Sequence, residues 1–579
     1  MKKIFKTFKF GIITDTHIRS PEGDQSSPYP VNKKANDRAR YAVQLLADQN
    51  PDFVIHLGDM VHPLPHMAAY SLAAKEAKKI FSPLMPNMKF VPGNHDIGDK
   101  PSLVSPAGPA DKDSLTGYKE SFGEDYYSFE FNDIQFIVMN SSLVNNVKEE
   151  HSQKEWLETT LAKVKNSRIF LFSHYPPFIN DPSEDSHYDN YAEPGRQWLL
   201  GLAKKYNIEA VFSGHVHHFF FNRLGKTKLY CHPATSFTRQ DYSVLFLGQV
   251  EDEFGRDDKG KYGVSIVTVG QDSHNIQFIQ TNGNIRKTAD QQPIKPPVAA
   301  LNLGFLIPHL RHDWALARPL PYNGPMEEFS RKIVRNDYLL LRLMQLGITK
   351  VRIPLSDLLD PVIRKRMQDF HAVGISFVIF CVGIPDSAQV NSIEKHKNLL
   401  AGIEIVTHAH HELDLDKLKI VSSITETWIS KITTSASLLD PTQPFAHTVS
   451  CGYLKNELQD VVNWFSPLDF KGNLRLVMQL PWEQNLIETV ESWPLNLESL
   501  ALNVRLSNSN PAIANFDKIS IFRRLKELSS LSEKSPELEI MLDTFSDFDR
   551  GYHPRTGLIS NSSNIHDWLF AQNDLSSSS

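Results

Sequence analysis

The sequence predicts an α/β protein built in two successive halves, a layered α/β sandwich followed by a (β/α)8 barrel of the TIM type. Three observations carry this. From about residue 8 to 280, short β-rich runs alternate with amphipathic helical patterns. The polar, proline-bearing stretch from Asn284 to Pro297 then breaks the alternation. Beyond it an apolar β-branched run, a loop and a helix recur about every 25 to 45 residues. The expected divisions are 1–283, a linker at 284–300, and 301–579.

Taken in order, strands are expected at Phe8–Thr14, Phe53–Leu57 and Phe90–Val91, with helices near Lys33–Gln49 and His66–Phe81 and further β-rich segments from Tyr127. The second half offers strands at Asn302–Ile307, Thr349–Ile353, Ile375–Cys381, Gly402–Thr407, Phe445–Ser450, Arg475–Leu480, Leu500–Arg505 and Leu538–Leu542. Helices are expected at Met326–Leu346, Asp360–Ala372, Ile393–Leu399, Leu415–Ile432, Lys455–Phe465, Trp482–Ser492, Phe516–Leu531 and Ile565–Phe570. Eight such units suit a closed parallel sheet with helices outside it, and an open doubly wound sheet is the alternative. The tail Ser576–Ser579 is expected to be disordered.

At 579 residues, 41% hydrophobic and 22% charged, the chain is an ordinary globular mixture, which excludes collagenous, disulfide-stapled and largely disordered classes. A net charge of -6 gives no global attraction to nucleic acid or anionic membrane. Cys231, Cys381 and Cys451 are odd in number and far apart, so neither a disulfide framework nor a thiolate zinc site is expected. Lys6 and Lys9 interrupt any signal-like apolar start, and stretches such as Ile375–Gly383 fall short of the ~20 residues a membrane span needs. These features predict a cytoplasmic protein with no membrane and no nucleic-acid partner. A homo-oligomer is compatible with them.

Five patches place oxygen and nitrogen ligands just after apolar runs: Asp15-Thr16-His17, Gly58-Asp59, Gly93-Asn94-His95-Asp96, Ser173-His174 and Gly214-His215-Val216-His217. Strands ending at each patch would bring all five to one sheet edge, with the glycines permitting tight turns. One such patch alone is an ordinary turn or hydrogen-bonded histidine; five in series are not. The donor set suits Mn²⁺, Fe, Zn²⁺ or Co²⁺.

In this order the patches resemble the signature of the calcineurin-like metallophosphoesterase family, over about residues 8–250. Phe122-Gly-Glu-Asp-Tyr-Tyr-Ser-Phe129 and Ser173-His-Tyr-Pro-Pro-Phe178 are similar to the branch of calcineurin-like phosphoesterase-domain phosphatases. Asp15-Thr-His-Ile-Arg-Ser20 resembles bacterial class III cyclic-nucleotide and glycerophosphodiester phosphodiesterases. The resemblance implies a four-layer α/β/β/α sandwich and two metal ions, Mn²⁺, Fe²⁺/Fe³⁺ or Zn²⁺. It implies that Asp15, His17, Asp59 and His217 hold one ion and Asp59, Asn94, His174 and His215 the other, with Asp59 bridging. It also implies in-line attack of a metal-bound hydroxide on the phosphorus of a small-molecule phosphoester, with His95 beside the leaving group. Asp96 would orient a neighbour or cap a turn.

Arg19, His62, His218, His232 and Arg239 are further candidates for substrate contact, each also readable as a solvated or hydrogen-bonded side chain. The loop from Asn180 to Pro194 carries Asp181, Glu184 and Asp185, an acidic rim that favours a singly charged diester over more anionic substrates. Phosphodiester hydrolysis is therefore expected ahead of phosphomonoester hydrolysis, whether of small molecules or of phosphoproteins. In the second half, His309, Arg311, His312, Asp313, His408, His410, His411, Asp543, Asp547, Arg550 and His553 would follow barrel strands as a polar rim. A reading of another class makes this half the working enzyme or a ligand sensor and the first half its docking partner.

Overall fold

The computed structural model describes residues 5–570, apart from 103–104, 106, 166, 246–250, 291, 295–296, 321–330, 435–448, 483, 492, 494–496, 507–516 and 548–556. Arg550, His553 and the 576–579 tail lie outside the described residues. The chain divides into two compact units, one of residues 1–297 with 317–341, the other of residues 298–316 with 342–579.

In the first unit, strands β1 (Phe8–Ile13), β2 (Phe53–His56) and β3 (Met88–Phe90) form a parallel core. Strands β4 (Tyr127–Phe131), β5 (Ile134–Val138), β6 (Arg168–Phe172), β7 (Ala210–Ser213), β8 (Phe220–Leu224) and β9 (Thr227–Cys231) form a second sheet in the order β4-β5-β6-β7-β9-β8. The antiparallel strands β10 (Gly263–Val269) and β11 (His274–Gln280) complete the first sheet as β11-β10-β1-β2-β3. Phe10 on β1 joins the two sheets. It is fully buried, with its ring 5.8 to 6.0 Å from those of Phe136, Phe170, Phe172 and Phe212. Truncating a ring so placed costs about 3–5 kcal/mol.

Helices α1 (Ala35–Asp48) and α2 (Tyr70–Phe81) turn Ala39, Ala42, Leu46, Ala73 and Ala77 onto Ile13, Val54 and Met88. The short α3 (Asn94–Ile97) follows β3, and α4 is Lys112–Phe122. On the other side, α5 (Glu150–Lys163) and α6 (Gly195–Lys205) turn Leu157, Leu161, Leu199 and Ala203 onto Ile137, Ile169, Leu171 and Val211. The result is helix, sheet, sheet, helix: the expected four layers. The small alanines on α1 and α2 let those helices approach their sheet closely.

The expected helix from Met326 is shorter, Tyr338–Gln345. Ahead of it, Ile333–Val334 pairs antiparallel with Arg318–Pro319. Lys332 there forms an ion pair with Asp189, and Arg335 donates to Asn180 Oδ1 at 2.6 Å and to Asn222 Oδ1 at 2.8 Å. This is why residues 317–341 belong to the first unit rather than to a second half beginning at 301.

The second unit contains strands Leu306–Pro308, Lys350–Pro354, Ser376–Val382, Leu400–Thr407, Thr427–Thr434, Leu474–Leu480, Leu500–Val504 and Glu539–Leu542. All eight are parallel. From the second onward each pairs with its successor, and the first pairs with the last. The remaining seam, between the first strand and the second, is joined by a bridge at His309 and Arg352 and by Leu310 N–H donating to Arg352 O at 3.0 Å. Ile307, Val378, Trp428, Val477, Ala501 and Met541, from six different strands, pack in one apolar cluster. A flat sheet cannot bring the first and third strands of this order together, so the sheet curls nearly into a barrel.

One strand differs from expectation. Leu415–Ile432 is not one helix: the helix ends at Ile424 and Thr427–Thr434 is the fifth parallel strand. Its sequence, Thr-Trp-Ile-Ser-Lys-Ile-Thr-Thr, is β-branched at five of eight positions, which favours strand over helix. The segment expected as that strand, Phe445–Ser450, lies mostly outside the described residues; Val449–Cys451 is an antiparallel addition to it. No described helix is long and apolar enough to cross a membrane.

Candidate metal centre

All five patches meet at one end of the two sheets. Asp15, His17, Asp59, His215 and His217 each sit two to four residues past a strand, and all have positive φ, from 46° to 68°. Such conformations are costly for side chains with a Cβ and persist where the surroundings impose them, as at functional sites. Gly58, at φ 105°, needs the same freedom. Gly93 needs room instead, because a Cβ there would lie 2.3 Å from Asp59 Oδ1.

Three groups of donor atoms converge: His17, His62 and His95 form one, and two others share Asp59, namely Asp15, His17, Asp59 and His217, and Asp59, His174 and His215. His17 Nε2 lies 3.1 Å from His217 Nε2 and 3.5 Å from Asp59 Oδ2. On the other side His174 Nε2 is 3.3 Å from Asp59 Oδ1, and Asn94 Oδ1 is 3.0 Å from both His174 Nε2 and His215 Nδ1. Two imidazoles set their tautomer by a backbone bond: the Nδ1–H of His174 donates to Leu57 O at 2.8 Å and that of His217 to Phe237 O at 2.7 Å. Both Nε2 atoms then face the centre.

The electrostatics fit a cation. Burial alone would raise the Asp59 carboxyl, but the charges of His174 and His95 and the hydrogen bond from His174 outweigh it and hold the group well below the carboxylate range. Asp15 Oδ1 is buried without a hydrogen bond. Carboxylate oxygens, an amide oxygen and imidazole nitrogens together make a donor set for borderline divalent ions.

His95 N–H donates to Asp59 Oδ1 at 2.8 Å, and its ring lies 4.7 Å from His17 and 4.9 Å from His62, with Nδ1 bonded to His62 O. Asp96 does not reach His95 or a ligand. Its carboxylate accepts from Gly93 N–H at 2.9 Å and Val61 N–H at 3.2 Å, which is the capping part, one of the two expected of it.

The expected substrate-contact residues divide. His62 joins the centre, with Nδ1 3.1 Å from His17 Nδ1. Arg19 is committed to Asp24, which its Nε reaches at 3.2 Å. His218 packs against Tyr242 and Tyr338. His232 lies between the sheets, bonded to Ser265, and burial pushes its pKa down to about 3. Arg239 pairs with Asp189 and Asp241, and Asp189 Oδ1 is 3.4 Å from His215 Nε2, so Arg239 stands behind a ligand rather than on the substrate side. The acidic rim is also thinner than expected. Glu184 turns inward, accepting from the N–H groups of Ile179 and Asn180 at 2.8 Å each.

Three residues, Asp189, Lys332 and Arg256, carry no expectation from the sequence, and a fourth, Tyr188, is marked there only as part of the tyrosine-bearing Asn180–Pro194 loop. Asp189 and Lys332 pair behind His215. Tyr188 offers its hydroxyl oxygen to Asn94 Nδ2 at 3.2 Å. Arg256 stacks its guanidinium 3.8 Å from the Tyr29 ring and 4.6 Å from Phe237, whose ring lies 4.6 Å from His217 and 4.9 Å from His17. Its Nε is buried without a hydrogen bond. Of the three without an expectation, only Arg256 has a faint signal, a basic residue amid the acids of Glu251-Asp-Glu-Phe-Gly-Arg-Asp-Asp258.

The calcineurin-like phosphoesterase family matches residues 8–219. Serine/threonine-protein phosphatase CPPED1 of Danio rerio is 29% identical over 178 residues, 29% of this chain and 54% of that protein. The Homo sapiens protein of the same name is 26% identical over 189 residues, 30% of this chain and 57% of its own length. Purple acid phosphatase 23 of Arabidopsis thaliana is 27% identical over 131 residues, 22% of this chain and 27% of that protein. The chain thus spans about half the length of the CPPED1 relatives it matches. With the ordered ligand patches, the four layers and this match in agreement, residues 8–219 are a calcineurin-like phosphoesterase domain.

Proposed function

We propose that the first unit hydrolyses phosphoesters with two metal ions, Mn²⁺, Fe or Zn²⁺, and that the observation carrying this is the pair of donor groups sharing Asp59. Asp15, His17, Asp59 and His217 hold one ion; Asp59, Asn94, His174 and His215 hold the other. Metals so held lower the pKa of water and neutralise charge on phosphoryl oxygens. The chain supplies the rest. Leu57 O, Phe237 O and Asp189 fix the imidazoles, so little reorganisation is needed as charge develops. His95, with Nδ1 engaged by His62 O, keeps Nε2 for passing a proton to the leaving oxygen.

Charge supports diesters over monoesters. Among the described residues flanking the site, Arg19, Arg239 and Lys332 are each neutralised by a carboxylate, whereas Arg256 makes no ion pair. One unspent cation matches a phosphodiester monoanion better than a monoester dianion. The second reading, phosphomonoester hydrolysis, is favoured by the phosphatase names of the CPPED1 relatives. The second unit is read as a (β/α)8 barrel, closed along the His309–Arg352 seam.

The test is hydrolysis of bis-p-nitrophenyl phosphate and p-nitrophenyl phosphate with Mn²⁺ by the full chain, by Asn94→Ala and by His95→Ala. Activity falls in both variants if the assignment holds. Unchanged rates reject the site, and a higher kcat/KM for the monoester rejects the diester preference alone.

A further inference from the structure

The second unit carries a polar cluster that the phosphoesterase reading does not use. On the face of the sheet that bears Val378, Trp428, Val477 and Ala501, the next residues of like orientation toward the strand C-termini are Phe380, Ser430, Gln479 and Asn503. Arg352 and Glu404 share this face, since Arg352 Nε donates to Glu404 Oε2 at 2.6 Å across the intervening strand. The guanidinium is fully engaged: it donates to His309 Nδ1 at 2.8 Å and stacks 3.9 Å from the Phe380 ring. Burial and the Arg352 charge hold His309 well below its ordinary pKa, which keeps that nitrogen a neutral acceptor.

Several polar atoms of this face have nothing to bond to. Glu404 Oε1, Ser430 Oγ and both Oε1 and Nε2 of Gln479 are buried without a hydrogen-bond partner, in residues 0 to 1% exposed. Buried polar groups are normally paired, and several unpaired ones on one face of a parallel sheet, toward its strand C-termini, mark a place built for something else. The ionised groups nearby are matched. Arg352 faces Glu404, and Arg505 faces Asp543. Among the described residues of this cluster Arg352 and Arg505 are both paired, which leaves neither for a phosphate or carboxylate, and the spare carboxylate oxygen belongs to a neutralised pair. What remains is an acceptor, an amide that both donates and accepts, and a hydroxyl that does both. A ligand that answers these is uncharged and offers several hydroxyl groups at short spacing.

We propose that the C-terminal end of this eight-stranded sheet binds a neutral polyhydroxylated ligand, a sugar or a polyol, through Glu404, Ser430 and Gln479. The site is separate from the metal centre and does not depend on the function assigned to it. Its recognition follows the rule that a buried polar set rejects partners that leave it unpaired.

The experiment uses the full chain and saturation-transfer NMR with methyl β-glucopyranoside, methyl α-mannopyranoside and xylitol as probes, and acetate and choline as charged controls. The expected result is transfer to at least one hydroxylated probe, reduced at least fivefold in Gln479→Met and in Ser430→Ala, with hydrolysis of bis-p-nitrophenyl phosphate unchanged. Transfer to the glycosides but not xylitol identifies a pyranose ring as the ligand, and the reverse an open polyol. Because Gln479 has no partner in the free protein, Gln479→Met should leave the thermal melting temperature unchanged or raise it. The proposal is overturned by no transfer to any hydroxylated probe, by transfer that survives both substitutions, by stronger transfer to acetate or choline, or by a marked fall in melting temperature for Gln479→Met.

Discussion

In the first unit the seven ligands that meet at the sheet edge stand two to four residues beyond their strands, five of them with positive φ; in the second, Arg352, Glu404, Ser430 and Gln479 stand inside theirs. The first arrangement leaves the backbone free to aim each ligand separately, at a cost in strain, and so can build a tight polydentate cage. The second takes its geometry from strand register alone. It holds a layer of side chains at fixed spacing without strain, which suits recognition of an extended polar partner more than tight coordination. Both place chemistry at the C-terminal ends of parallel strands, but only one needs glycines to do so.

The sharpest way to break the contrast is to remove the shared ligand. Asp59→Asn keeps size and hydrogen-bonding ability but not the charge that two donor groups share, so phosphoesterase activity is expected to fall on the order of 10³-fold or more. Steady-state kinetics together with metal analysis of the purified variant checks this. Retention of both the bound metal and most of the rate would refute the bridging role.

This difference in placement also explains what the sequence revealed. Ligands beyond strand ends interrupt an apolar run with a recognisable Gly-Asp, Asn-His or His-x-His, and all seven expected metal ligands meet in space. Residues acting from behind have no such mark: Asp189 reads as one more acid in a loop, and Lys332 arrives from 117 residues beyond the ligand it stands behind, His215, in a segment that belongs to the first unit. Arg239, His218 and His232 looked functional because they follow the last patch closely, yet proximity in sequence placed them behind the site or between the sheets. In the second half, Val351-Arg-Ile353 and Ile403-Glu-Ile405 were absorbed into strand patterns, although a charge between β-branched residues in a strand covered on both faces asks for a buried partner. The rim histidines His408 and His411 carry the more visible signal, and among the described contacts neither reaches the Arg352 cluster.

The interior pair offers a second test. Arg352→Met leaves the Glu404 carboxylate, which is 0% exposed, without its counter-charge, and breaking a buried pair in this way typically costs about 3 kcal/mol. The double substitution Arg352→Met with Glu404→Leu is expected to recover most of that loss, because an apolar pair of similar size removes both desolvation penalties. Urea denaturation of the three proteins measures it. An additive double variant would show that the two side chains do not depend on each other.

A smaller effect, in the first unit, distinguishes structural charge from site charge by its pH window. Burial works to raise the Glu209 carboxyl, but hydrogen bonds from Arg168 and His274 prevail and bring its pKa down to about 2. A carboxyl whose folded pKa is depressed stabilises the fold above its unfolded value, about 4.3, and loses that contribution as pH falls toward 2. Allowing for its partial exposure, the contribution is on the order of 2 kcal/mol. Glu209→Gln should therefore lower stability at pH 6 by roughly this amount, with the gap to wild type closing between pH 4.3 and 2. A gap constant across that range would show that the carboxylate is not what Arg168 and His274 stabilise.

The smallest expected effect concerns the one guanidinium near the metal centre that no carboxylate neutralises among the described residues. Arg256 is held flat between Tyr29 and Phe237, so its orientation is fixed before any substrate arrives, and ordering it costs little on binding. If it contacts the phosphodiester in both ground and transition states, Arg256→Met should raise KM about tenfold, or about 1.4 kcal/mol, and leave kcat nearly unchanged. Arg256→Lys keeps the charge but loses the planar stack, and should recover only part of the affinity. The steric alternative, in which Arg256 merely supports Phe237 and through it His17 and His217, predicts the opposite split: kcat falls in both variants because the imidazoles shift, while KM for the diester stays where it was.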